Sequence, residues 1–223
     1  PQSILAGYIG AWNIKADTDP ASIPANKLTH LFYAFVDVDP QGNVSLKPGE
    51  DGDISFLKSL KAENPNLKIL VSIGGAGEHD FSSAASTPES RTHFAQSAIQ
   101  FMKDNGFDGI DIDWEFPEKD ENNNYTQLLS ELRQQLDDAS TADGKNYQLT
   151  TALPASGYYL YGDDPAHHLE PILKETSDHV DFINVMTYDY RGSWPGDTTT
   201  YHQAALYSNA EKGNVDWGIQ QYL

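Results

Sequence analysis

Residues 107–117 read FDGIDIDWEFP, and the reading of this stretch decides the fold. Ile110, Ile112 and Trp114 favour a pleated, half-buried strand, yet Asp111, Asp113 and Glu115 alternate with them. Alternation puts the three carboxylates on one face, neighbours about 7 Å apart, and the three apolar side chains on the other. An ordinary half-exposed strand would show the same alternation with its acids in water. Acids crowded where water is scarce are costly, because burial and each neighbouring charge oppose ionisation. The rest of the chain decides between the two.

On either side, apolar, β-rich runs begin near residues 4, 28, 67, 147 and 180: ILAGYIGAW, LTHLFYAFVDV, LKILVSIGG, YQLTTALP and VDFINVMTYDY. Helical patterns lie between them. Thr87 is an N-cap for a helix that opens at Pro88 and stops at Gly106, with Phe94, Ala98, Phe101 and Met102 on one face. Tyr125, Leu128, Leu129, Leu132 and Leu136 recur at the same period, and both stripes read as core. Strand then helix, repeated, predicts a parallel sheet with helical crossovers. Gly74-Gly75, Phe116-Pro117, Pro154 and Asp189 close their strands before polar loops. Barrels and open doubly wound sheets both carry chemistry at that end. GGAGEHD (74–80) lacks the last glycine of a phosphate-cradling Gly-x-Gly-x-x-Gly, which favours the barrel.

The expected fold class is therefore α/β, a (β/α)8 TIM barrel as one domain over residues 1–223. It is expected to be incomplete, with about six βα units; NVDWGIQQYL (214–223) reads as the opening of a sixth helix. Six strands leave two unpaired edges, so self-association, or a second chain completing the barrel, is expected as well.

The totals narrow the function. With 33 acidic and 14 basic residues the net charge is -19, which argues against a nucleic-acid or anionic-membrane partner, since both require a basic face. There is no cysteine, hence no disulfide or thiolate metal site, and no apolar run of membrane-spanning length. His167 and His168 read as a loop pair with no ligands spaced around them. The acid run could bind a hard cation, but such sites usually gather oxygens from loops as well. No metal and no cofactor is expected. A chain of buried acids ending in an outermost Glu115 is instead how a general acid is built.

DGIDIDWE resembles the Asp-x-x-Asp-x-Asp-x-Glu signature of glycoside hydrolase family 18, the chitinases, through Asp108, Asp111, Asp113 and Glu115. SIGG (72–75) is similar to the family's third-strand motif and MTYD (186–189) to its sixth; GYIGAW and YAF resemble the first two strands. The resemblance implies hydrolysis of β-1,4-linked N-acetylglucosamine polymers, with the substrate's own acetamido group as nucleophile. Glu115 would be the acid, Asp113 would orient the acetamido N–H, Asp111 would support Asp113, and Tyr188 would donate to the acetamido oxygen. Asp108 is supporting at most. Tyr8, Phe35, Gly74, Gly75, Met186 and Asp189 would line the sugar site, with Trp12 and Trp194 stacking on sugar faces. The expected partners are chitin or chitooligosaccharides, met outside the cell by a secreted protein.

Two departures from the family stand out. After Gly74-Gly75 this chain has Ala76, Gly77, Glu78 and His79 where many chitinases place an aromatic residue. The family's seventh and eighth strands, with a tryptophan floor, would lie beyond Leu223. An endo-β-N-acetylglucosaminidase acting on glycans shares the signature. A non-catalytic chitin-binding relative would usually lack Glu115.

Overall fold

The computed structural model describes residues 3–77, 79–155, 175–192, 198, 200–207 and 213–223. Trp194, His167 and His168 lie outside them. Strands β1 (Ala6–Gly10), β2 (His30–Val38), β4 (Lys68–Gly74), β5 (Gly109–Asp113), β6 (Gln148–Pro154) and β7 (Phe182–Met186) run parallel, in that spatial order. A two-residue strand, β3 (Val44–Ser45), folds back antiparallel on the end of β2, a feature the sequence pattern did not announce. The described α-helices are α1 (Asp53–Glu63), α2 (Phe81–Ala84), α3 (Pro88–Asn105), α4 (Asn122–Asp143) and α5 (Val215–Gln220), with short 3-10 turns between some of the elements. The expected incomplete (β/α)8 architecture is what these strands form.

Local chemistry sets the helix ends. The Thr87 hydroxyl accepts from the Ser90 N–H (3.1 Å) while Ser90 Oγ accepts from the Thr87 N–H (3.0 Å), satisfying two donors that the first turn leaves free. Gly106 ends α3 at φ 78°, the left-handed conformation that costs glycine least. Along α3, Phe94, Ala98 and Met102 are buried and Phe101 partly so. Tyr125, Leu128, Leu129, Leu132 and Leu136 of α4 have no exposed surface. They meet Ile110 and Ile112 from the outer face of β5, and Trp114 just past its end, in one apolar cluster. Burying each such leucine stabilises the fold by about 1.5–3 kcal/mol.

The opening stretch differs from its reading in one respect. β5 stops at Asp113, two residues before Glu115. The Gly75 N–H takes the Asp113 carbonyl (2.8 Å), and Trp114 turns onto Phe81, ring centroids 5.2 Å apart at 9°. Glu115 therefore stands on the loop above the strand, joined to Phe116 by a cis peptide. The sheet also curls: Asn184 of β7 donates to the Tyr8 hydroxyl of β1 (2.9 Å), which brings the two outermost strands together across the interior.

Candidate active site

Inside the curl, Asp111 is wholly buried and is held from four other strands. The Tyr8 hydroxyl (2.9 Å) and Ser72 Oγ (2.8 Å) donate to its Oδ2; Thr150 Oγ1 (2.6 Å) and Asn184 Nδ2 (3.3 Å) donate to its Oδ1. Register explains the convergence. Ser72 of β4 and Thr150 of β6 are the direct neighbours of Asp111 in the ladder, so all three point inward at one level. Burial pushes the Asp111 carboxyl up, and its four donors pull against that. Tyr8 in turn is held far above the usual phenol range, first by burial and then by Asp111, so it remains a donor.

One level higher, Asp113 is 3% exposed, and its Oδ1 is buried without a hydrogen-bond partner. Burial, then the charges of Asp111 and Glu115, push its carboxyl up to about 8. A proton is accordingly held there near neutral pH. Asp113 and Glu115 share a hydrogen bond that raises the first and lowers the second. Glu115 is itself raised above the usual carboxylate range, mainly by burial. Asp113 and nearby His79 draw it down, and Asp189 pushes it up. Tyr188, half-exposed just past β7, is pushed up to about 12 by burial and then by the charges of Asp113, Glu115, Asp189 and Asp111. A carboxyl raised by burial, beside a second that shares a hydrogen bond with it, is placed to donate a proton and to take it back.

The family model described as "Glycosyl hydrolases family 18" matches residues 4–223. The chain belongs to glycosyl hydrolase family 18. Among proteins of this family, it is 35% identical to Chitinase 1 of Aphanocladium album over 98% of this chain and 56% of that protein. Chitinase ChiW of Paenibacillus, a cell-surface-expressed multi-modular enzyme, superposes with a TM-score of 0.86 at 35% identity, covering 99% of this chain and 28% of that one. A Cycas revoluta family-18 chitinase, solved in complex with (GlcNAc)3, gives 0.85 at 28% identity over 99% of this chain and 64% of its own. The chain thus spans about half the length of curated family-18 relatives it matches.

The family-18 signature divides in space. Asp111, Asp113 and Glu115 climb toward the rim. Asp108 lies before the strand begins, where Lys61 Nζ reaches both its oxygens (2.7 and 2.6 Å) and the Ile69 N–H donates to Oδ2 (2.8 Å). That is a brace between α1, β4 and β5, remote from the rim. Gly74 and Gly75 are required by close packing. A Cβ on Gly74 (φ 112°) would lie 2.2 Å from the Asp113 carbonyl, and one on Gly75 (φ 90°) 2.6 Å from the Phe35 ring. Phe35 also faces Trp12 (6.2 Å), which is 60% exposed at the end of β1. Tyr8 stacks on Phe32 (4.6 Å) beneath the acids. Met186 ends β7 opposite Pro154, half-buried, and Asp189 (φ 57°) accepts from Gln203 Nε2.

Sequence reasoning missed Ser72, Thr150 and Asn184 as the holders of Asp111. A signal existed: Asn184 precedes Met186 and Tyr188 at the two-residue inward spacing. Among the described residues no group of three or more His, Cys, Asp or Glu is placed to hold a metal ion, and no helix is long and apolar enough to cross a membrane.

Proposed function

We propose that this chain is the catalytic part of a chitinase that hydrolyses β-1,4-linked N-acetylglucosamine chains with retention, using the substrate's acetamido group as nucleophile. The observation that carries the reading is Asp113. It is a buried carboxyl with a donorless oxygen, protonated near neutral pH, set between a fully anchored Asp111 and the rim acid Glu115. Glu115 passes its proton to the glycosidic oxygen; the C1–O bond breaks with its electron pair going to that oxygen. The acetamido carbonyl oxygen bonds to C1, giving a cyclic oxazolinium ion. Asp113 accepts the acetamido N–H through its free oxygen and so orients the group for attack, while Tyr188 donates to the acetamido oxygen. Glu115, now a carboxylate, removes a proton from water as it adds to C1 and reopens the ring.

Tyr8, Phe35, Met186 and Asp189 would border the reacting sugar, with Trp12 offering an exposed ring face beyond it. A polymer too large to enter a cell places the enzyme outside it. Prepared as these 223 residues, the polypeptide would associate with itself or a second chain along the outer edges of β1 and β7, which have no further strand partner among the described residues, and sedimentation would detect it. The deciding experiment is product release from chitin and from fully deacetylated chitosan. Cleavage of chitin alone is expected. Comparable cleavage of both would remove the acetamido nucleophile from the mechanism, and release from neither would remove the activity.

A further inference from the structure

A cleft of about 600 Å³ opens beside Glu115, on the side away from the acid stack. Glu115 belongs to its wall, whereas Asp111, Asp113, Tyr8 and Tyr188 do not. Its apolar side is Phe81, Trp114 and Phe116, and its polar side includes His79 and Ser82. His79 is built into this wall. Its side chain is 8% exposed, its ring meets Phe81 edge-on at 6.4 Å, and its Nδ1 lies 2.7 Å from Asp37 Oδ1 on β2. A carboxylate at Nδ1 makes that nitrogen the donor and leaves Nε2 free as an acceptor when the ring is neutral, or as a donor when it is charged. Nε2 has no partner among the described residues. A Cβ on Gly77 (φ 129°) would come within 4.0 Å of Nε2, ordinary van der Waals contact, so the glycine leaves that nitrogen uncovered on this side.

We infer that His79, oriented by Asp37, is a specificity-determining residue that hydrogen-bonds a hydroxyl of the leaving-group sugar. The inference rests on the proposed function, which puts the reacting sugar over Asp113 and Tyr188. An acid that protonates the bond between two sugars has the reacting one on one side and the departing one on the other. The second side of Glu115 is this cleft. A sugar there meets the partly exposed Phe116 ring, with Phe81 and Trp114 buried behind it, and a fixed, directional imidazole nitrogen, the combination that discriminates a hydroxyl-bearing leaving group from a flat apolar one. Among the described residues, Glu118, Asp120 and Glu121 are the other charged groups that line the cleft, and Asp37 lies behind His79 at its Nδ1.

The test compares two substrates of the same 223-residue chain: chitotetraose, and an aryl β-glycoside of N,N′-diacetylchitobiose, which has no leaving-group sugar. His79→Ala should lower kcat/KM for chitotetraose about five- to tenfold, chiefly through KM, and leave the aryl glycoside within twofold. His79→Gln, whose amide can reach the Nε2 position, should recover most of the loss. Asp37→Asn should give a smaller loss that does not add to that of His79→Ala. Equal losses on both substrates would mean that His79 acts through Glu115 and would overturn the inference, as would no loss on either. Thermal melting of each variant identifies a folding defect, in which case His79→Gln decides. If the wild-type chain cleaves neither substrate, the proposed function fails by itself. Calorimetric binding of chitotetraose to Glu115→Gln, with and without His79→Ala, then decides this inference: unchanged affinity, or no binding, overturns it.

Discussion

Two acids only three residues apart, Asp108 just before β5 and Asp111 in its middle, show how differently one short stretch treats charge. At the amino end Asp108 faces Lys61 and a backbone N–H, part-exposed, with a cation within 2.7 Å. Inside the curl Asp111 has four neutral donors and no cation, and above it Asp113 has a buried oxygen with no donor at all. The lower acid is neutralised, the middle one solvated by hydroxyls and an amide, and the upper ones left to share protons. Charge that is cancelled holds structure together; charge that is only partly compensated remains available for chemistry. A single signature thus contains a brace, an anchor and a proton-transfer pair.

The largest expected effect lies at the top. Glu115→Gln keeps the shape and removes the transferable proton, so kcat on chitotetraose should fall about 10²–10⁴-fold with little change in unfolding midpoint. A variant with near-normal turnover would move the acid elsewhere. In the middle the balance should reverse toward stability. Asp111→Ala strands Tyr8, Ser72, Thr150 and Asn184 around an empty acceptor, and urea unfolding should show a loss of about 3–5 kcal/mol as well as lost activity. A loss under about 1 kcal/mol would mean that the four donors find other partners.

The third prediction concerns pH. Asp113 titrates near 3.8 when unfolded and at about 8 when folded. Below pH 4 both states hold the proton and the residue is neutral to stability. Between pH 4 and 8 the unfolded chain releases it while the folded one does not, so stability falls across that window and the cost is full above 8. Glu115, also raised, contributes with the same sign. Asp113→Asn should therefore gain on the wild type as pH rises from 4 to 8, by on the order of 2–3 kcal/mol once the shared proton is allowed for. A difference independent of pH would break the comparison at its upper level. The smallest effect is at the bottom: Asp108→Ala should cost about 1–2 kcal/mol of stability and leave kcat within twofold. A large loss of activity there would erase the distinction between brace and chemistry.

How far these roles could be read in advance depended on their range. Thr87, Pro88 and Gly106 bound α3 as their residue types predict, because a cap is satisfied by atoms three or four residues away. The leucine stripe of α4 and the alternation of β5 are likewise local periods, and they sufficed for a strand–helix barrel. The end of β5 was not legible, because it is set by a contact from Gly75 rather than by a residue of the stretch itself.

The sequence by itself determined the kinds and order of the main elements and the presence of Asp111 and Asp113 on one inward face, since each follows from backbone sterics and side-chain alternation within a few residues. Only the tertiary structure decided which acid is cancelled, which is anchored and which shares its proton. Lys61 meets Asp108 across 47 residues, Asp37 meets His79 across 42, and Asn184 reaches Tyr8 across 176. Such pairings depend on register and on the curl of the whole sheet, which no local window encodes. Protonation depends in turn on the solvent that this curl excludes.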